Sequence, residues 1–490
     1  MEEMNMNKIK SIIAAAIAAI SITSCNLLEV DNPSGIYGSG YWKDKSEVEA
    51  YLIGTYTSFR SDLNTLKWFE ERGDSFEPGV EAGTSAIWSH NLTSTNGQSW
   101  NGFYTVIQHC NMIIKNADAV AFNLESERNN IKAQAYTMRA YMYFCLVRTF
   151  GDAPIETEPT EGSAKPKQPR APKATVLAQV ISDCETALTL FSDDAWVAGK
   201  SKASRMGAYA LLADAYLWKA SVLGGGKEDY EKVIEYADLA AAKTSLEDDF
   251  EKIYGTKNGG EIIWSIHFGY PEIVDQYSKA LKLRDQFVLK AVNINDIPYA
   301  KSGARSTWAP SEQIRAIMSE HKGDIRKANA YVDAIDAGGN FLGSSDKKMS
   351  GTATETNRLY DNDIVLYRHA EMILFKAEAY AAMGQTGNAI AELNKTRKRA
   401  GLKDYDGATD QKSVQLEILD ERAREFWIEN KRWPDLLRFH HAGVIDVYDV
   451  VPNLSAKKAN GITIPLYFAI PVNEMALNLE LVQTEGYENL

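Results

Sequence analysis

The chain of 490 residues lacks the positive charge that polyanionic ligands such as nucleic acids require. Its formal net charge is −13 and its pI is near 5.2, whereas nucleic acids are bound by clustered lysine and arginine. Long apolar runs are also scarce, because no stretch after residue 25 approaches the roughly 18 apolar residues of a transmembrane helix. The composition therefore argues against polyanionic ligands and predicts no membrane-spanning helix after residue 25.

Motifs of known catalytic chemistry are absent as well. The sequence contains no HExxH, no GxSxG and no phosphate-binding loop, and its seven histidines are scattered apart from His440 and His441. Residues 404–410 (DYDGATD) carry oxygen ligands but lack the closing glutamate of a calcium loop, so a solvated turn is the preferred interpretation over a calcium site. The sequence predicts a protein that is not an enzyme and that holds no metal or cofactor.

Cysteine is rare, with four residues in the whole chain. Cys110, Cys145 and Cys184 each lie inside a helical pattern, and three thiols cannot all pair with one another. We interpret them as small buried thiols, with a disulfide between two of them as the alternative.

The fourth cysteine, Cys25, follows a pattern typical of a lipoprotein leader. Two lysines precede an apolar run at residues 11–22, which is too short to span a bilayer. The small residues before Cys25 resemble a lipoprotein cleavage site. We predict a signal peptide at residues 1–24 and a lipid anchor on Cys25, with a retained single-pass helix as the alternative.

Paired helical patterns dominate the rest of the chain. Residues 208–242 and 368–402 each contain two helical stretches around a glycine turn, with alanine at recurrent packing positions. Such hairpins need neighbours to bury their faces, and residues 131–150 and 176–191 supply them. The sequence predicts a mostly α fold built on at least three stacked tetratricopeptide-like helical hairpins.

The helical periodicity fades in the middle of the chain. Residues 243–361 are punctuated by Gly, Ser, Asn and Asp, although residues 261–268 (EIIWSIHF) alternate as a β-strand does. We predict one domain at residues 25–490, with an N-terminal portion (25–242), a loop-rich, minor-β insertion (243–361) that carries the ligand site, and a C-terminal helical portion (362–490).

Two blocks of the sequence are similar to the SusD/RagB family. Residues 133–155 (AQAYTMRAYMYFCLVRTFGDAPI) resemble the family's helix and its GDxP ending, and residues 420–438 (DERAREFWIENKRWPDLLR) resemble its signature block. Further matches are Tyr41-Trp42, residues 100–111, residues 398–402, residues 469–471 and Gly486-Tyr487. The resemblance implies a lipid-anchored glycan-binding protein on the outer membrane, facing outward, that passes its ligand to a TonB-dependent, SusC-like transporter without catalysis.

The chain departs from the family pattern at two positions. Asn430 occupies a position where the family usually has glycine, and asparagine is the next best residue for a left-handed backbone at a helix end. Leu479 stands where a proline is usual, which concerns only the local turn.

The signature block is rich in carboxylates, which raises the alternative of a surface glycosidase. Glu421, Glu425 and Glu429 are spaced at i, i+4, so they are predicted to lie along one helical stripe and to pair with arginines. Catalytic carboxylates of a glycosidase face each other across a cleft instead. A structural ion network is therefore the preferred interpretation.

Aromatic residues on loops are the candidates for glycan binding, because sugar rings present apolar faces edged with hydroxyls. Of the ten tryptophans, Trp42, Trp100, Trp218, Trp264, Trp427 and Trp433 lie in periodic or family blocks and are predicted to be packing residues. Trp68, Trp88, Trp196 and Trp308 remain.

The candidate glycan-binding residues are Trp88, Trp308, Asp74, His90, Asn96 and Tyr270. Trp88 lies in a Gly/Ser/Thr/Asn-rich stretch at residues 79–97, and the family resemblance places binding loops there and after the strand that contains Trp264. Surface packing is the alternative for each of these side chains, and Asp74 equally suits the cap of a turn.

A binding scaffold for peptides is the main rival to glycan binding, because tetratricopeptide arrays often hold a partner in their concave face. Oligosaccharide binding with an intact product would contradict both the peptide scaffold and the glycosidase.

Overall fold

The computed structural model describes residues 41–161, 167–192 and 199–487. The predicted signal peptide, Cys25 and Trp196 lie outside these residues. The chain divides into two units, residues 1–43 and residues 44–490. In the first, the rings of Tyr41 and Trp42 meet edge to face at 5.3 Å.

Helices make up most of the second unit. They are α1 (Lys45–Leu63), α2 (Asn101–Asn116), α3 (Glu125–Thr149), α4 (Lys173–Leu190), α5 (Arg205–Val222), α6 (Lys227–Ala241), α7 (Phe250–Gly255), α8 (Asp285–Val288), α9 (Glu312–Ser319), α10 (Ile325–Ala330), α11 (His369–Ala382), α12 (Thr386–Arg399), α13 (Gln411–Phe426), α14 (Arg432–His441), α15 (Val447–Val450), α16 (Pro452–Ala459) and α17 (Val472–Leu477), with 3-10 helices at Ala117–Ala119, Tyr277–Leu281 and Ile294–Asp296. Each helix among the described residues is too short or too polar to span a membrane.

Three helical hairpins form the scaffold, as the sequence predicts: α3 with α4, α5 with α6, and α11 with α12. Helix α4 also packs against α5, and α6 packs against α11, so the hairpins form one continuous stack. The predicted small residues Ala377, Ala379 and Ala389 are fully buried between α11 and its neighbours. Gly384 has φ 75° in the turn of the last hairpin, a conformation that glycine adopts without steric cost. The mostly α, tetratricopeptide-like fold is confirmed.

The strands form four antiparallel pairs: β1 (Phe76–Pro78) with β3 (Trp308–Pro310), β2 (Ile262–Ile266) with β8 (Ile364–Arg368), β4 (Tyr331–Ile335) with β5 (Phe341–Asp346), and β6 (Thr352–Ala353) with β7 (Arg358–Leu359). Strand β2 was predicted from its alternation, yet all five of its residues are buried. Trp264 stacks on Phe59 of α1 with ring centroids 5.7 Å apart, so β2 is a core strand. The loop-rich portion is thus attached to the helical stack by a buried strand.

The three thiols within the described residues are free and fully buried, as interpreted from the sequence. Burial raises the pKa of Cys145 to about 12. The thiolate, which is the reactive form, is therefore not populated near neutral pH.

A buried network of charges joins the loop-rich portion to the C-terminal helices. Its members, called the ion cluster below, are Glu261, Asp324, Arg326, Lys348, Arg368, Arg399, Glu421, Glu425 and Glu429, and none of these side chains is more than 3% exposed. At its centre, Arg368 at the end of β8 lies 2.6 Å from Glu261, 2.6 Å from Glu425 and 3.0 Å from Glu429. The structural interpretation of the signature carboxylates is therefore supported by direct pairing.

The prediction that Glu421, Glu425 and Glu429 lie along one helical stripe is only partly correct. Glu421 and Glu425 lie on α13, but the helix ends at Phe426 and Glu429 lies in the following turn. The partners of the cluster also differ from a local i, i+4 network. Arg326 and Lys348 come from the loop-rich portion, more than 70 residues earlier in the chain. These pairings explain how loops of low periodicity are held in place.

Asn430 has the left-handed backbone that the sequence predicts, with φ 61° between α13 and α14. Its Nδ2 donates a hydrogen bond to the Thr65 carbonyl at 3.1 Å. This hydrogen bond offsets part of the steric cost of a positive φ, which glycine would not have.

We expect Asn430→Ala to unfold more easily than Asn430→Gly by about 1 kcal/mol. Both variants lose the hydrogen bond to Thr65, so their difference isolates the cost of a Cβ at positive φ. Urea unfolding of the two proteins measures it. Equal stabilities would mean that the backbone relaxes at this position.

Candidate functional site

An aromatic layer is built where β1 pairs with β3. Trp308 is paired with Pro78 across the two strands, and its ring stacks on Phe76 with centroids 5.9 Å apart. Trp88 lies 6.2 Å from Trp308, and its indole Nε1–H donates to the Phe76 carbonyl at 2.8 Å. The structure therefore brings the two predicted platforms, Trp88 and Trp308, into one layer.

The two tryptophans differ in exposure. Trp308 is only 5% exposed, whereas Trp88 is half-buried. The expectation that Trp308 stands free on a loop is wrong, because the residue lies in β3 and its ring packs against Phe76 and Trp88. Trp308 packs against Trp88, and Trp88 supplies the accessible part of the layer.

Asp74 is buried rather than exposed. Its carboxylate accepts two hydrogen bonds from Arg432 of α14, at 2.7 and 2.8 Å, and its backbone carbonyl accepts one from the Ser311 hydroxyl. Both carboxylate oxygens are thus engaged with Arg432, and the residue anchors the start of β1. The expectation that this side chain is free for a ligand is not met.

His90 is fully buried, with a positive φ of 51°. Its Nε2 lies 3.0 Å from the Arg72 carbonyl. Burial, with the charge of Arg72 beside it, lowers the pKa of His90 to about 3, so the imidazole is neutral. His90 therefore fixes the loop that carries Trp88, and its expected exposure is also corrected.

Asn96 and Tyr270 are the remaining candidates. Asn96 is half-buried, and it closes a local turn by accepting from the Thr93 amide at 2.8 Å and donating to the Asn91 carbonyl at 2.7 Å. Tyr270 is 78% exposed, on the loop after β2. Within the part of the chain that the structure describes, no ring contact joins Tyr270 to Trp88 or Trp308, so Tyr270 is not part of the Trp88 layer.

The other tryptophans largely follow their predicted roles. Trp100, Trp218, Trp264, Trp427 and Trp433 are at most 4% exposed. Trp68, which the sequence left open, is 2% exposed and packs against Phe103 in the core.

The loop that carries Trp88 is held at its base by a contact between distant parts of the chain. Residues 69–74 meet residues 431–433, which we call the clasp. The Trp433 amide donates to the Phe69 carbonyl at 2.9 Å, and the Lys431 amide donates to Glu70 at 3.1 Å. Sequence reasoning missed Phe76 and the clasp, because neither carries a local pattern.

One group of residues in the described part of the chain has atoms close enough to share a metal ion: Glu320, His321 and Glu417. Glu417 lies 2.8 Å from Arg397 and 2.5 Å from Arg424. Guanidinium groups therefore already neutralise the carboxylate that a metal would need. The DYDGATD loop is exposed, and Asp410 caps α13 by accepting from the Ser413 amide at 3.1 Å.

Family models match most of the second unit. The model of the SusD family matches residues 304–487, and a model described as starch-binding associating with outer membrane matches residues 53–217. The description of the second model supports glycan binding at the outer membrane as a property of the family.

Relatives and solved structures agree with these matches. "SusD-like protein P38" of Formosa agariphila is 26% identical over 94% of this chain and 97% of its own. "Starch-binding protein SusD" of Bacteroides thetaiotaomicron is 35% identical over 26% of this chain and 22% of its own. The structure of B. fragilis NanU has a TM-score of 0.78 and 23% identity, and the alignment covers 94% of this chain and 100% of that one. The chain belongs to the SusD/RagB family.

Proposed function

We propose that this protein binds an oligosaccharide or polysaccharide at the cell surface and passes it, without catalysis, to a TonB-dependent outer-membrane transporter. The observation that carries the proposal is the half-buried Trp88 ring, held over Trp308 and Phe76. A fixed aromatic surface of this kind suits the apolar face of a sugar ring and costs little conformational entropy on binding.

The surrounding side chains have supporting roles in this proposal. Asp74, His90 and Trp308 keep the platform in place, because their own contacts are with the protein. Asn96 lies on the same loop and is half-buried. Its Oδ1 and Nδ2 already bond to Thr93 and Asn91, so the second N–H of Nδ2 is the candidate donor to a ligand hydroxyl. Tyr270 forms a second, separate aromatic contact for a longer glycan.

Attachment and delivery rest on the sequence and on the family. The short apolar run before Cys25 supports a lipid anchor on that thiol, with the protein on the outer leaflet of the outer membrane. The transporter partner follows from the family resemblance alone. The absence of catalysis is supported by the ion cluster, whose carboxylates are engaged by arginine and lysine.

We expect Trp88→Ala to weaken polysaccharide binding by at least about ten-fold, because the variant removes the only accessible ring of the layer. Affinity-gel electrophoresis of the purified protein in soluble starch and in other polysaccharides measures the effect. Starch comes first because a relative with local similarity is named starch-binding.

Trp88→Phe serves as the matched variant, since it keeps an aromatic face while it loses the Nε1 hydrogen bond to Phe76 and part of the ring area. It should retain most of the affinity. If no polysaccharide retards the protein, the peptide-binding scaffold becomes the preferred function. Release of reducing ends from a polysaccharide would support the glycosidase instead. Unchanged affinity in Trp88→Ala would place the glycan site elsewhere.

A further inference from the structure

A pocket that shares no lining residue with the Trp88 layer lies between α1, the turn before α5 and the end of β2. It has a volume of about 300 Å³. Its polar lining includes Tyr56, Arg60, Lys202, Ser265, His267 and Glu272. This volume is at the small end of the range for ligand pockets, about 300–1,000 Å³, so it suits one sugar ring rather than a chain of them.

Lys202 is the unusual member of this lining. Its Nζ lies 3.9 Å from the ring centroid of Tyr56, and the side chain is half-buried. No carboxylate of the described residues lies within ion-pair distance of it. Burial lowers the pKa of Lys202, with the charge of Glu272 opposing that shift. A cation that is partly removed from water and has no anionic partner gains from a bound anion.

The neighbouring charges do not supply that anion. Glu272 is engaged with Arg60 at 2.6 Å, and its side chain is 57% exposed. Arg60 also donates to the His267 carbonyl at 3.2 Å. The groups around Lys202 therefore leave the pocket with an excess of positive charge, although the chain as a whole is negative.

Two buried polar atoms of the lining residues are also without a partner: the Ser265 hydroxyl and the Arg60 Nε. Ser265 is 2% exposed, and its backbone amide is already used in a hydrogen bond to the Lys200 carbonyl at 2.9 Å. Buried polar groups are normally hydrogen-bonded. An unsatisfied hydroxyl and an ammonium without an anionic partner line the same pocket, which indicates a place for an acceptor that the described protein atoms do not provide.

We propose that this pocket binds a single anionic group, a carboxylate or a sulfate ester, carried by a hexose-sized ligand. Lys202 forms the ion pair, Ser265 donates a hydrogen bond to the same anionic group, and the sugar ring occupies the space between α1 and the end of β2. The overall charge of −13 disfavours a polyanion, so the ligand carries one such group. The exposed Tyr270 lies in the chain between two residues that line this pocket, His267 and Glu272.

Three hexoses that differ only at C6 test this proposal: D-glucuronate, D-glucose 6-sulfate and D-glucose. Isothermal titration of the purified protein at low salt should show binding of at least one anion and weaker or undetectable binding of glucose. Raising the ionic strength should weaken the anion's binding. Binding of glucuronate alone identifies a carboxylate ligand, and binding of the sulfate alone identifies a sulfate ester.

Lys202→Met keeps the apolar stem of the side chain and removes its charge. We expect it to weaken anion binding by about ten-fold, while glucose binding stays unchanged. Lys227→Met is the matched control, because the side chain of Lys227 is 71% exposed at the start of α6 and is not among the residues that line this pocket. Ser265→Ala should weaken anion binding without any change of charge.

The proposal is overturned if neither anion binds, if glucose binds as tightly as the anions, or if Lys202→Met binds them like the unaltered protein. Thermal unfolding of each variant verifies that the fold persists. The test is also separate from that of the glycan platform, because Trp88→Ala should leave glucuronate binding unchanged. A failure of either proposal can therefore be recognised without the other.

Discussion

Arg368→Met should lower the free energy of unfolding by about 3–5 kcal/mol. The arginine is fully buried and pairs with Glu261, Glu425 and Glu429 at 2.6 to 3.0 Å. Removing one partner from a buried ion network leaves the others desolvated and uncompensated, which costs far more than a surface ion pair contributes. Urea unfolding at pH 7, followed by circular dichroism, measures the loss.

Arg128→Met provides the matched comparison. Arg128 pairs with Asp118 and Glu125 at the surface, where the side chain of Glu125 is 75% exposed. That substitution should cost less than about 1 kcal/mol. Arg368→Lys, which keeps the charge but loses the forked geometry, should lie between the two. Similar small losses for Arg128→Met and Arg368→Met would mean that the ion cluster does not stabilise the fold.

Acid should destabilise the protein steeply between about pH 4.5 and pH 2. Burial alone would raise the pKa of Glu421, but Arg326 and Arg424 lower it to about 2. Burial likewise opposes ionisation of Glu429, but the charges of Arg368 and Lys348 outweigh it and lower the pKa of Glu429 to about 2. Glu425, between Arg399 and Arg368, has a pKa well below its usual value.

The sign of this effect follows from linkage. A carboxyl group whose pKa is lower in the folded state than in the unfolded state stabilises the fold above the unfolded value, near 4.5, and loses that contribution as the pH falls through the folded value. Each shift from the ordinary 4.5 to about 2 corresponds to roughly 3 kcal/mol. Chemical unfolding at several pH values from about 8 to about 2 measures the slope. A flat profile would contradict the strength of these pairings.

Glu70 provides an internal control for the pH profile, because it responds in the opposite direction. Burial raises the pKa of Glu70 to about 8, although the Lys431 amide favours its ionised form. Its stabilising contribution is therefore present at low pH and is lost as the pH rises from about 5 to 8. Glu70→Gln should flatten that alkaline side of the profile and leave the acid side unchanged.

The helical scaffold could be predicted from the sequence because its information is local. Alanines at recurrent spacings in residues 208–242 and 368–402 specify close helix pairs, and the observed hairpins follow them. The left-handed backbone at Asn430 could be inferred from residue type alone. The alternating pattern of residues 261–268 identified strand β2. It could not show that all five residues of the strand are buried, because burial depends on the segments that pack against the strand.

The site was only partly predictable, since exposure there is decided by contacts between distant segments. A loop rich in Gly, Ser, Thr and Asn suggested free side chains. Asp74 is nevertheless held by Arg432, 358 residues away in the chain, and the Trp308 ring stacks on Phe76 of β1. Similarly, Arg326 and Lys348 lie in a stretch without periodicity, where charges usually face solvent. Nothing local indicates that they are buried.

The clasp has a consequence for the order in which the protein acquires its structure. Residues 69–74 emerge early during synthesis, but their partners at residues 431–433 come near the end of the chain. The long loop between these two segments must close before the clasp contacts can form, and the entropic cost of closure slows folding. The surfaces that meet in the clasp stay exposed until then. The Trp88 loop therefore stays unanchored until translation is almost complete, and a chain that crosses a membrane N-terminus first would need to be kept from aggregating during that interval.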